Sequence, residues 1–545
     1  MVFTTLNDLI YFPGWGDGFT WLIIIAFIFA FAVSYGMGAN DACNDWGTSV
    51  GAGTVKLWQA YILCAIFNTL GAILLGYKVT ETIRTGIVDV SIYDTYAQYD
   101  PTNNTYVVVP YCEVSNTTLP SDATTFAPPK IPTDGSPIVE CARYTSADFM
   151  YGQVGTLLGV AVFMIVSSIF KIPVSATHAI VGATLAASLY LKGNVGIKWL
   201  EIGGIVLSWF ISPVIAGIFS SLFYVVVKYS VLMKRHTFEA ALNLCPVFMT
   251  FTLAINLFAC IFEGSKYLGF DKLNWWQALL ISCGIGVSVG LLIHFVLRGW
   301  LRRRAISLYE RDQRHAAEGG FRLRVANTAS NKVVDVKTRI EKDGSKTILP
   351  PGEIDPPTGS WYKYLLLNVV EEPLASKVFN AVQMVSASLL SFSHGANDTA
   401  NTVGPLVAIW LTYKTGWALT PAETRDDTQL LLFFGAFAMI FGFVTLGHRT
   451  IKLIAKEITT EVSAPSGFTV ELGTAFTVLF CAKLGIPVSS THCAVGAVLF
   501  VGMTKSTSEG VSWRVFGKIV VVWLLCFPIS AVISFICTWL LCTFF

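Results

Sequence analysis

Residues 35–45 read YGMGANDACND, and residues 393–402 repeat the centre of this stretch as SHGANDTANT. A second motif, IPVSATH at residues 172–178, returns as IPVSSTH at residues 486–492 with six of its seven positions identical. The two motifs occur in the same order in both parts of the chain. Two long matches in one order indicate an internal duplication.

The composition around these motifs is that of a membrane protein. Of the 545 residues, 54% are hydrophobic and 13% are charged, and the mean hydropathy is +0.61. Soluble domains carry about 25% charged residues. The net charge of +2 provides no argument for a nucleic-acid partner, so the expected surroundings are a lipid bilayer.

Apolar segments that approach the roughly 20 residues needed to cross a bilayer recur along the chain. The twelve predicted spans are 20–37, 57–77, 150–170, 173–191, 200–228, 245–263, 276–297, 365–392, 429–446, 468–484, 487–503 and 515–543. Together with the duplication they predict an all-α membrane protein of about twelve transmembrane helices. The predicted parts are a first repeat (1–230), connecting helices (231–300), a linker (301–364) and a second repeat (365–545).

Two polar loops orient the predicted helices. Loop 89–148 has eight acidic and two basic residues, a net charge of −6, with sequons at Asn103 and Asn116 and a candidate disulfide between Cys112 and Cys141. These features favour the extracellular side. Linker 301–364 has thirteen basic and eight acidic residues, a net charge of +5, and favours the cytoplasm as a partly disordered tether. Both termini are then extracellular.

The relative orientation of the two repeats follows from the number of predicted membrane crossings between them. Seven predicted crossings separate the start of the first repeat from the start of the second, and an odd number inverts the second copy. Inverted repeats are typical of secondary transporters, whose sites lie near the bilayer midplane between the repeats and use broken helices. A transporter with broken or re-entrant helices is therefore expected.

The first motif suits a cation. Asp41 and Asp398 occur in apolar surroundings, where a charge at the bilayer centre costs about 2.5–3.5 kcal/mol unless it faces a cavity or an ion. The preceding Gly-Ala allows a helix to break and free its carbonyl groups. Oxygens of the Asp residues and of Asn44 and Asn401 could then complete the coordination of a hard cation such as sodium.

The second motif suits an anion. A proline favours the start of a helix, where free backbone N–H groups and the helix dipole attract negative charge. The hydroxyl groups that add donors at these two helix starts belong to Ser175, Thr177, Ser489, Ser490 and Thr491. Two such starts could hold a tetrahedral oxyanion. Bound cations would cancel the repulsion between this anion and the carboxylates, which predicts that the cation binds first.

Other polar residues have less decided roles. Glu471 lies in an apolar segment. A carboxylate is costly inside a membrane, so its presence there predicts a functional role. His178 and His492, which end the two copies of the second motif, are equally compatible with hydrogen-bonded structural roles. The sequence contains no Walker loop, dinucleotide fingerprint, nucleophile elbow or zinc-type ligand spacing. We therefore expect neither an enzyme, nor a cofactor, nor a transition-metal site.

At these motifs the chain resembles the inorganic phosphate transporter (PiT) family, specifically its eukaryotic sodium-dependent members. The residues that carry the resemblance are Gly38–Gly47, Gly395–Pro405, Phe468–Ala475 and both Ile-Pro-Val-Ser motifs. The resemblance implies sodium:phosphate symport by alternating access in the plasma membrane. It also implies that Asn40 and Asn397 line the substrate site with the Ser/Thr motifs, and that His394 and Glu471 take part in coupling.

The sequence departs from the family pattern at two positions, and alternatives to sodium:phosphate symport stay open. Asn68 stands where the family commonly has Glu, and Cys43 stands where a small apolar residue is usual. The alternatives are a proton-coupled carrier, a carrier of another tetrahedral oxyanion, and a phosphate sensor or receptor with weak transport. A homodimer is a further open alternative to a monomer.

Overall fold

The structure is a computed structural model. It describes residues 17–93, 95–100, 105–110, 146–170, 172–262, 269–317, 338–340, 346–348, 371–419, 426–448, 451, 463–505 and 511–544. Within these residues the fold is almost wholly helical. The predicted sequons at Asn103 and Asn116 and the cysteines Cys112 and Cys141 lie outside the described residues, as does most of the basic linker.

Fifteen α-helices are described. The first nine are α1 (Thr20–Asn40), α2 (Ala42–Gly51), α3 (Leu57–Thr85), α4 (Ser146–Ile169), α5 (Ala176–Lys192), α6 (Trp199–Val227), α7 (Thr237–Ile261), α8 (Trp275–Leu292) and α9 (Arg298–Ala317). The remaining six are α10 (Pro373–His394), α11 (Ala400–Thr415), α12 (Asp426–Gly442), α13 (Ala464–Lys483), α14 (Ser490–Lys505) and α15 (Trp513–Phe544).

Short 3₁₀ and π-helical turns and two hairpins complete the described elements. The 3₁₀ turns are Asp17–Phe19, Val90–Tyr93 and Phe270–Lys272. The π turns are Lys228–Leu232, Ile293–Leu297, Gly395–Thr399 and Phe443–Gly447. One antiparallel hairpin pairs β1 (Thr95–Asp100) with β2 (Thr105–Pro110), and the other pairs β3 (Thr338–Ile340) with β4 (Lys346–Ile348). The first hairpin belongs to the acidic loop and the second to the basic linker.

A helix occurs at each of the twelve predicted spans, but three of them, α5, α10 and α14, do not combine the length and the apolar composition that a bilayer crossing needs. In the described part of the chain, nine helical segments are long and apolar enough: Thr20–Gly51, Leu57–Thr85, Ser146–Ile169, Trp199–Leu232, Thr237–Ile261, Trp275–Arg314, Asp427–Gly447, Ala464–Lys483 and Trp513–Phe544. Helices α5 and α14 have 17 and 16 residues, so each is only about 25 Å long. That is less than the hydrocarbon thickness of about 30 Å.

The structure adds three helices that the twelve predicted spans did not include. Helices α2 and α11 directly follow the two Gly-Ala-Asn-Asp motifs, as the second arms of interrupted helices. The interruption is the single turn residue Asp41 in one copy and the π turn Gly395–Thr399 in the other. Helix α9 begins the basic linker, whose first residues are therefore helical.

The second motif starts its helices later than its proline suggested. Residues 172–175 and 486–489 are extended, and α5 and α14 begin at Ala176 and Ser490. The helix start is instead set by serine caps: Ser175 Oγ accepts the backbone N–H of His178, and Ser489 Oγ accepts that of His492. Serine is a strongly preferred N-cap residue because its side chain satisfies one of the free N–H groups.

Close backbone contacts join helices from the two parts of the chain. At Gly71 in α3, an added Cβ would lie 1.9 Å from the carbonyl oxygen of Phe392 in α10. At Gly442 in α12, it would lie 1.9 Å from the carbonyl oxygen of Tyr35 in α1. Small residues allow this approach in membrane proteins, where association depends on packing rather than on the hydrophobic effect.

We expect Gly71→Val to separate α3 from α10 and to destabilise the protein by at least the 1–3 kcal/mol typical of overpacking. The measurement is the yield and melting temperature of detergent-purified protein. The matched control is Gly203→Val in α6, where an added Cβ meets no atom within 4 Å. Equal stability of the two variants would contradict the close packing.

Candidate functional site

Asn40 and Asn397 hold the two extended segments in place. Asn40 Nδ2 donates to the carbonyl oxygen of Ile172 at 2.8 Å, and Asn40 Oδ1 accepts the N–H of Val174 at 3.2 Å. Asn397 makes both bonds to Val488, at 2.7 and 3.4 Å. Both side chains are fully buried. These predicted substrate residues therefore act, in this structure, as clamps on the chain that leads into α5 and α14.

The two clamped segments bring the starts of α5 and α14 together. Ser175 Oγ donates to Ser489 Oγ at 3.0 Å, although the two residues are 314 positions apart. Both serines are buried. Two helix N-termini, with their free N–H groups and positive dipole ends, thus meet inside the protein.

The third polar residue of each first motif bonds to the other half of the chain. Asn44 Nδ2 donates to Thr491 Oγ1 at 2.9 Å, and Asn401 Nδ2 donates to Thr177 Oγ1 at 3.0 Å. The two bonds are reciprocal, since each joins the first motif of one half to the second motif of the other. The predicted cation and anion residues are therefore in direct contact.

The two aspartates bond to the hydroxyl groups at the helix starts. Asp41 Oδ1 accepts the hydroxyl of Thr491 at 3.2 Å, and Asp398 Oδ2 accepts that of Ser490. Asp398 Oδ1 also accepts Nδ2 of Asn397 at 2.7 Å. Asp41 and Asp398 are 2% and 1% exposed, so both carboxylates depend on protein donors.

Several buried oxygens in this cluster have no hydrogen-bond partner among the described residues. They are Asn44 Oδ1, Asn401 Oδ1 and Asp45 Oδ2. A buried polar atom without a partner is costly, so each requires an explanation such as an ion. The described residues contain no group of three or more His, Cys, Asp or Glu arranged to hold a metal. Any cation here would need amide and hydroxyl oxygens as well as carboxylates.

His394 lies between two carboxylates. Its Nδ1 is 3.1 Å from Asp398 Oδ2 and 3.4 Å from Asp45 Oδ1, and both His394 and Asp45 are at least 98% buried. Neither residue has a counterpart in the other copy of the first motif, where Met37 and Thr402 stand instead. The two copies of the first motif therefore differ in charge at these two positions.

Glu471, in α13, lies in a separate cluster. This cluster includes residues of α2 that are one helical turn after Asn44. Glu471 Oε1 accepts Thr48 Oγ1 at 2.6 Å, Ser49 Oγ at 2.7 Å and Gln383 Nε2 at 3.1 Å. Its Oε2 accepts Ser386 Oγ at 2.5 Å. Helix α2 thus connects this carboxylate to the cluster around Asn44.

Five residues of these clusters were not predicted from the sequence: Asp45, Thr48, Ser49, Gln383 and Ser386. Two of them were detectable, since Asp45 is a carboxylate in an apolar stretch and Gln383 is an amide within predicted span 365–392. The hydroxyl residues had no such signal, because Ser and Thr are common in membrane helices and often bond to their own backbone.

The departures from the family pattern lie beside the site. Asn68 is fully buried, its Nδ2 contacts Met439 Sδ at 3.3 Å, and its Oδ1 has no partner among the described residues. An added Cβ at Gly395 would lie 2.0 Å from the Asn68 carbonyl oxygen, so α3 packs against the second copy of the first motif. Cys43 is also buried, and its Sγ lies 3.2 Å from the carbonyl oxygen of Gly447.

Known proteins resemble this chain over nearly its full length. It is 28% identical to sodium-dependent phosphate transporter 1-A of Danio rerio, with 94% of each chain covered. It is 27% identical to sodium-dependent phosphate transporter 1 of Rattus norvegicus, again with 94% of each covered. Against sodium-dependent phosphate transporter 2 of Felis catus it is 26% identical, with 95% of this chain and 97% of the relative covered.

A solved structure supports the fold and a family model supports the relationship. The structure entitled "The sodium-dependent phosphate transporter" matches with a TM-score of 0.69 and 24% identity, covering 96% of this chain and all of the other. The model described as the phosphate transporter family matches residues 37–119 and 123–534, which include both copies of both motifs. This multi-pass membrane protein therefore belongs to the phosphate transporter family.

Proposed function

We propose that this protein is a sodium:inorganic phosphate symporter, a secondary carrier and not an enzyme. The observation that carries the proposal is the meeting of two helix starts, at Ser175 and Ser489, beside two buried aspartates. The names of the relatives, all sodium-dependent phosphate transporters, agree with it.

The helix starts supply the binding groups for phosphate. Free N–H groups and hydroxyl donors at two N-termini suit a tetrahedral oxyanion, and the dipoles of α5 and α14 add positive potential. The donors we assign are Ser175, Thr177, Ser489, Ser490 and Thr491, with Asn40 and Asn397 holding their segments. Sulfate or arsenate would meet the same groups, so phosphate specificity rests on the relatives.

The first motifs supply the binding groups for sodium. Asn44 Oδ1 and Asn401 Oδ1 are buried and have no hydrogen-bond partner in the described part of the chain. Each belongs to the same motif copy as an aspartate three residues earlier. Carboxylate and amide oxygens are ligands that hard cations prefer. We assign one sodium site to Asp41 and Asn44 and another to Asp398 and Asn401, with His394 and Glu471 in coupling roles.

The hydrogen bonds of the aspartates explain the coupling. Asp41 and Asp398 accept the hydroxyls of Thr491 and Ser490, which are donors that phosphate requires. Without sodium, a phosphate ion must compete with these carboxylates for the donors and is repelled by their charge. Bound sodium would neutralise the carboxylates and release the hydroxyls, so we expect sodium to bind first.

The architecture we propose is two inverted-topology repeats that work by alternating access in the plasma membrane. The reciprocal bonds Asn44–Thr491 and Asn401–Thr177 support it, because two related halves facing one site would make paired contacts of this kind. We keep the boundaries 1–230, 231–300, 301–364 and 365–545 for the two repeats and the segments between them.

A second candidate function is a phosphate sensor with weak transport. It is favoured by Asn68, whose buried amide stands where the family pattern has a carboxylate and whose Oδ1 has no partner within the described ranges. Under this candidate, Asn68→Glu would increase phosphate flux, whereas in a competent symporter it would not. Proton coupling is distinguished from sodium coupling by replacing sodium in the medium.

Sodium-dependent uptake of labelled phosphate is the first test. In cells that lack their own phosphate carriers, we expect uptake in sodium medium and background uptake in choline medium. Asp41→Asn and Asp398→Asn should remove the sodium-dependent part, because each loses a charged ligand. Equal uptake in both media would contradict sodium coupling, and absence of uptake by protein at the cell surface would favour the sensor.

If the side-chain oxygens of Asn44 and Asn401 are sodium ligands, removing either one should weaken sodium binding. Asn44→Ala and Asn401→Ala should each raise the sodium concentration for half-maximal uptake by about tenfold, since each removes one ligand worth about 1.4 kcal/mol. The matched control is Asn256→Ala in α7, a buried amide that bonds to the carbonyl oxygen of Thr252 away from the site. Equal shifts in all three variants would refute the assignment.

The proposed topology predicts the side on which each end of the chain lies. Epitope tags at either terminus should bind antibody on intact cells, because both termini are expected outside. A tag inserted within the basic linker, between residues 320 and 335, should bind only after permeabilisation. A C-terminal tag that is hidden on intact cells would require an odd number of crossings.

A further inference from the structure

Four buried rings form a stack directly behind the two helix starts. His178 in α5 packs on Trp209 in α6 with ring centroids 3.7 Å apart, and His492 in α14 packs on Trp523 in α15 at 3.6 Å. The centroids of the two imidazoles are 4.4 Å apart, and their planes are tilted by 55°. The stack thus takes a histidine and a tryptophan from each half of the chain.

The two histidines occupy matching places in the stack, but their ring nitrogens bond differently. His178 Nδ1 lies 3.1 Å from the carbonyl oxygen of Trp523. A carbonyl oxygen only accepts, so His178 Nδ1 carries the hydrogen. The His178 ring therefore points its donor away from the serine caps, and its Nε2 has no partner among the described residues.

His492 instead bonds to the serine that caps its own helix. Its Nδ1 lies 2.5 Å from Ser489 Oγ. Ser489 Oγ already accepts two hydrogen bonds, from Ser175 Oγ at 3.0 Å and from the backbone N–H of His492 at 3.3 Å. A hydroxyl has two acceptor positions and one hydrogen. The Ser489 hydrogen must therefore point at His492 Nδ1, which acts as an acceptor.

A directional chain of hydrogen bonds results, from Ser175 to Ser489 to His492. Both serine hydrogens are used within the protein, and neither is available to an anion at the helix starts. An anion that bonds to Ser489 has to take its hydrogen from the imidazole. His492 is thus a competitor of the anion for one donor.

We propose that His492 is a positioning residue that limits how tightly phosphate is held, by competing with it for the Ser489 hydrogen. The inference rests on the proposed function, because it takes phosphate as the anion. Without the imidazole, the Ser489 hydroxyl has no acceptor in the phosphate-free protein, which raises the free energy of that form. The phosphate-bound form is unchanged, so phosphate affinity increases. A purely structural histidine would instead lower affinity or stability when removed.

The main test is binding of labelled phosphate to the full-length protein, purified in detergent, at saturating sodium. His492→Leu should lower the phosphate Kd by about 2- to 13-fold, the range set by one hydrogen bond. His492→Asn should stay near the wild-type Kd, since its amide oxygen can accept the same hydrogen. The matched control His178→Leu also removes one ring of the stack and should leave Kd unchanged.

The binding data distinguish a positioning role of His492 from a purely structural role. A rise in Kd for His492→Leu, or equal changes in His492→Leu and His178→Leu, would overturn the proposal in favour of a structural stack. In a Ser489→Ala background, adding His492→Leu should produce no further change. A further change there would show that the imidazole acts through another group.

A second measurement does not depend on phosphate. The measurement is ¹⁵N solid-state NMR of protein labelled at histidine, with signals assigned by comparison with His492→Leu and His178→Leu. His492 Nδ1 should be unprotonated, and His178 Nδ1 should be protonated. A protonated Nδ1 on His492 would overturn the proposal even if transport is normal. An unprotonated one, in protein that binds no phosphate with sodium present, would instead place the failure in the proposed function.

Discussion

Two extended chain segments inside an apolar protein need partners for their backbone groups, and the side-chain amides of Asn40 and Asn397 provide them. Within a membrane, irregular backbone is tolerated only where protein or a cavity satisfies it. Without these amides, residues 172–175 and 486–489 would have to become helical or recruit water. The short helices α5 and α14 could then no longer begin in the protein interior, where their N-termini meet.

The contacts around these segments would connect the affinity of the proposed sodium sites to that of the proposed phosphate site. Asn44 and Asp41 both bond to Thr491, so a ligand that moves either side chain changes what Thr491 offers to a second ligand. Such coupling is reciprocal in free energy: if sodium improves phosphate binding, phosphate improves sodium binding by the same factor. No long-range pathway is needed, because a single hydroxyl is shared.

The sequence predicted the parts of the site better than their assembly. The duplicated motifs predicted Asp41, Asp398 and the Ser/Thr residues, which the structure places in contact, and an interrupted helix was expected at the first motif. The proline rule placed the starts of α5 and α14 too early, since the serine caps and the asparagine clamps decide them instead. Cross-half bonds such as Asn401 to Thr177 depend on tertiary packing, which periodicity and local propensity do not encode. The same limit explains why the cluster around Glu471 was found only as a lone carboxylate.

The pairing of His394 with Asp45 has a consequence for the energetics of a carrier built from two similar halves. A duplicated protein with perfectly matched halves would have outward- and inward-facing forms of equal free energy. Asp45 lies in the first half and His394 in the second, and each stands where the other copy has an uncharged residue, so this contact between the halves has no symmetry-related counterpart. In the alternating-access cycle that we propose, the two forms would then differ in free energy, and the empty protein would rest with its opening toward one side of the membrane.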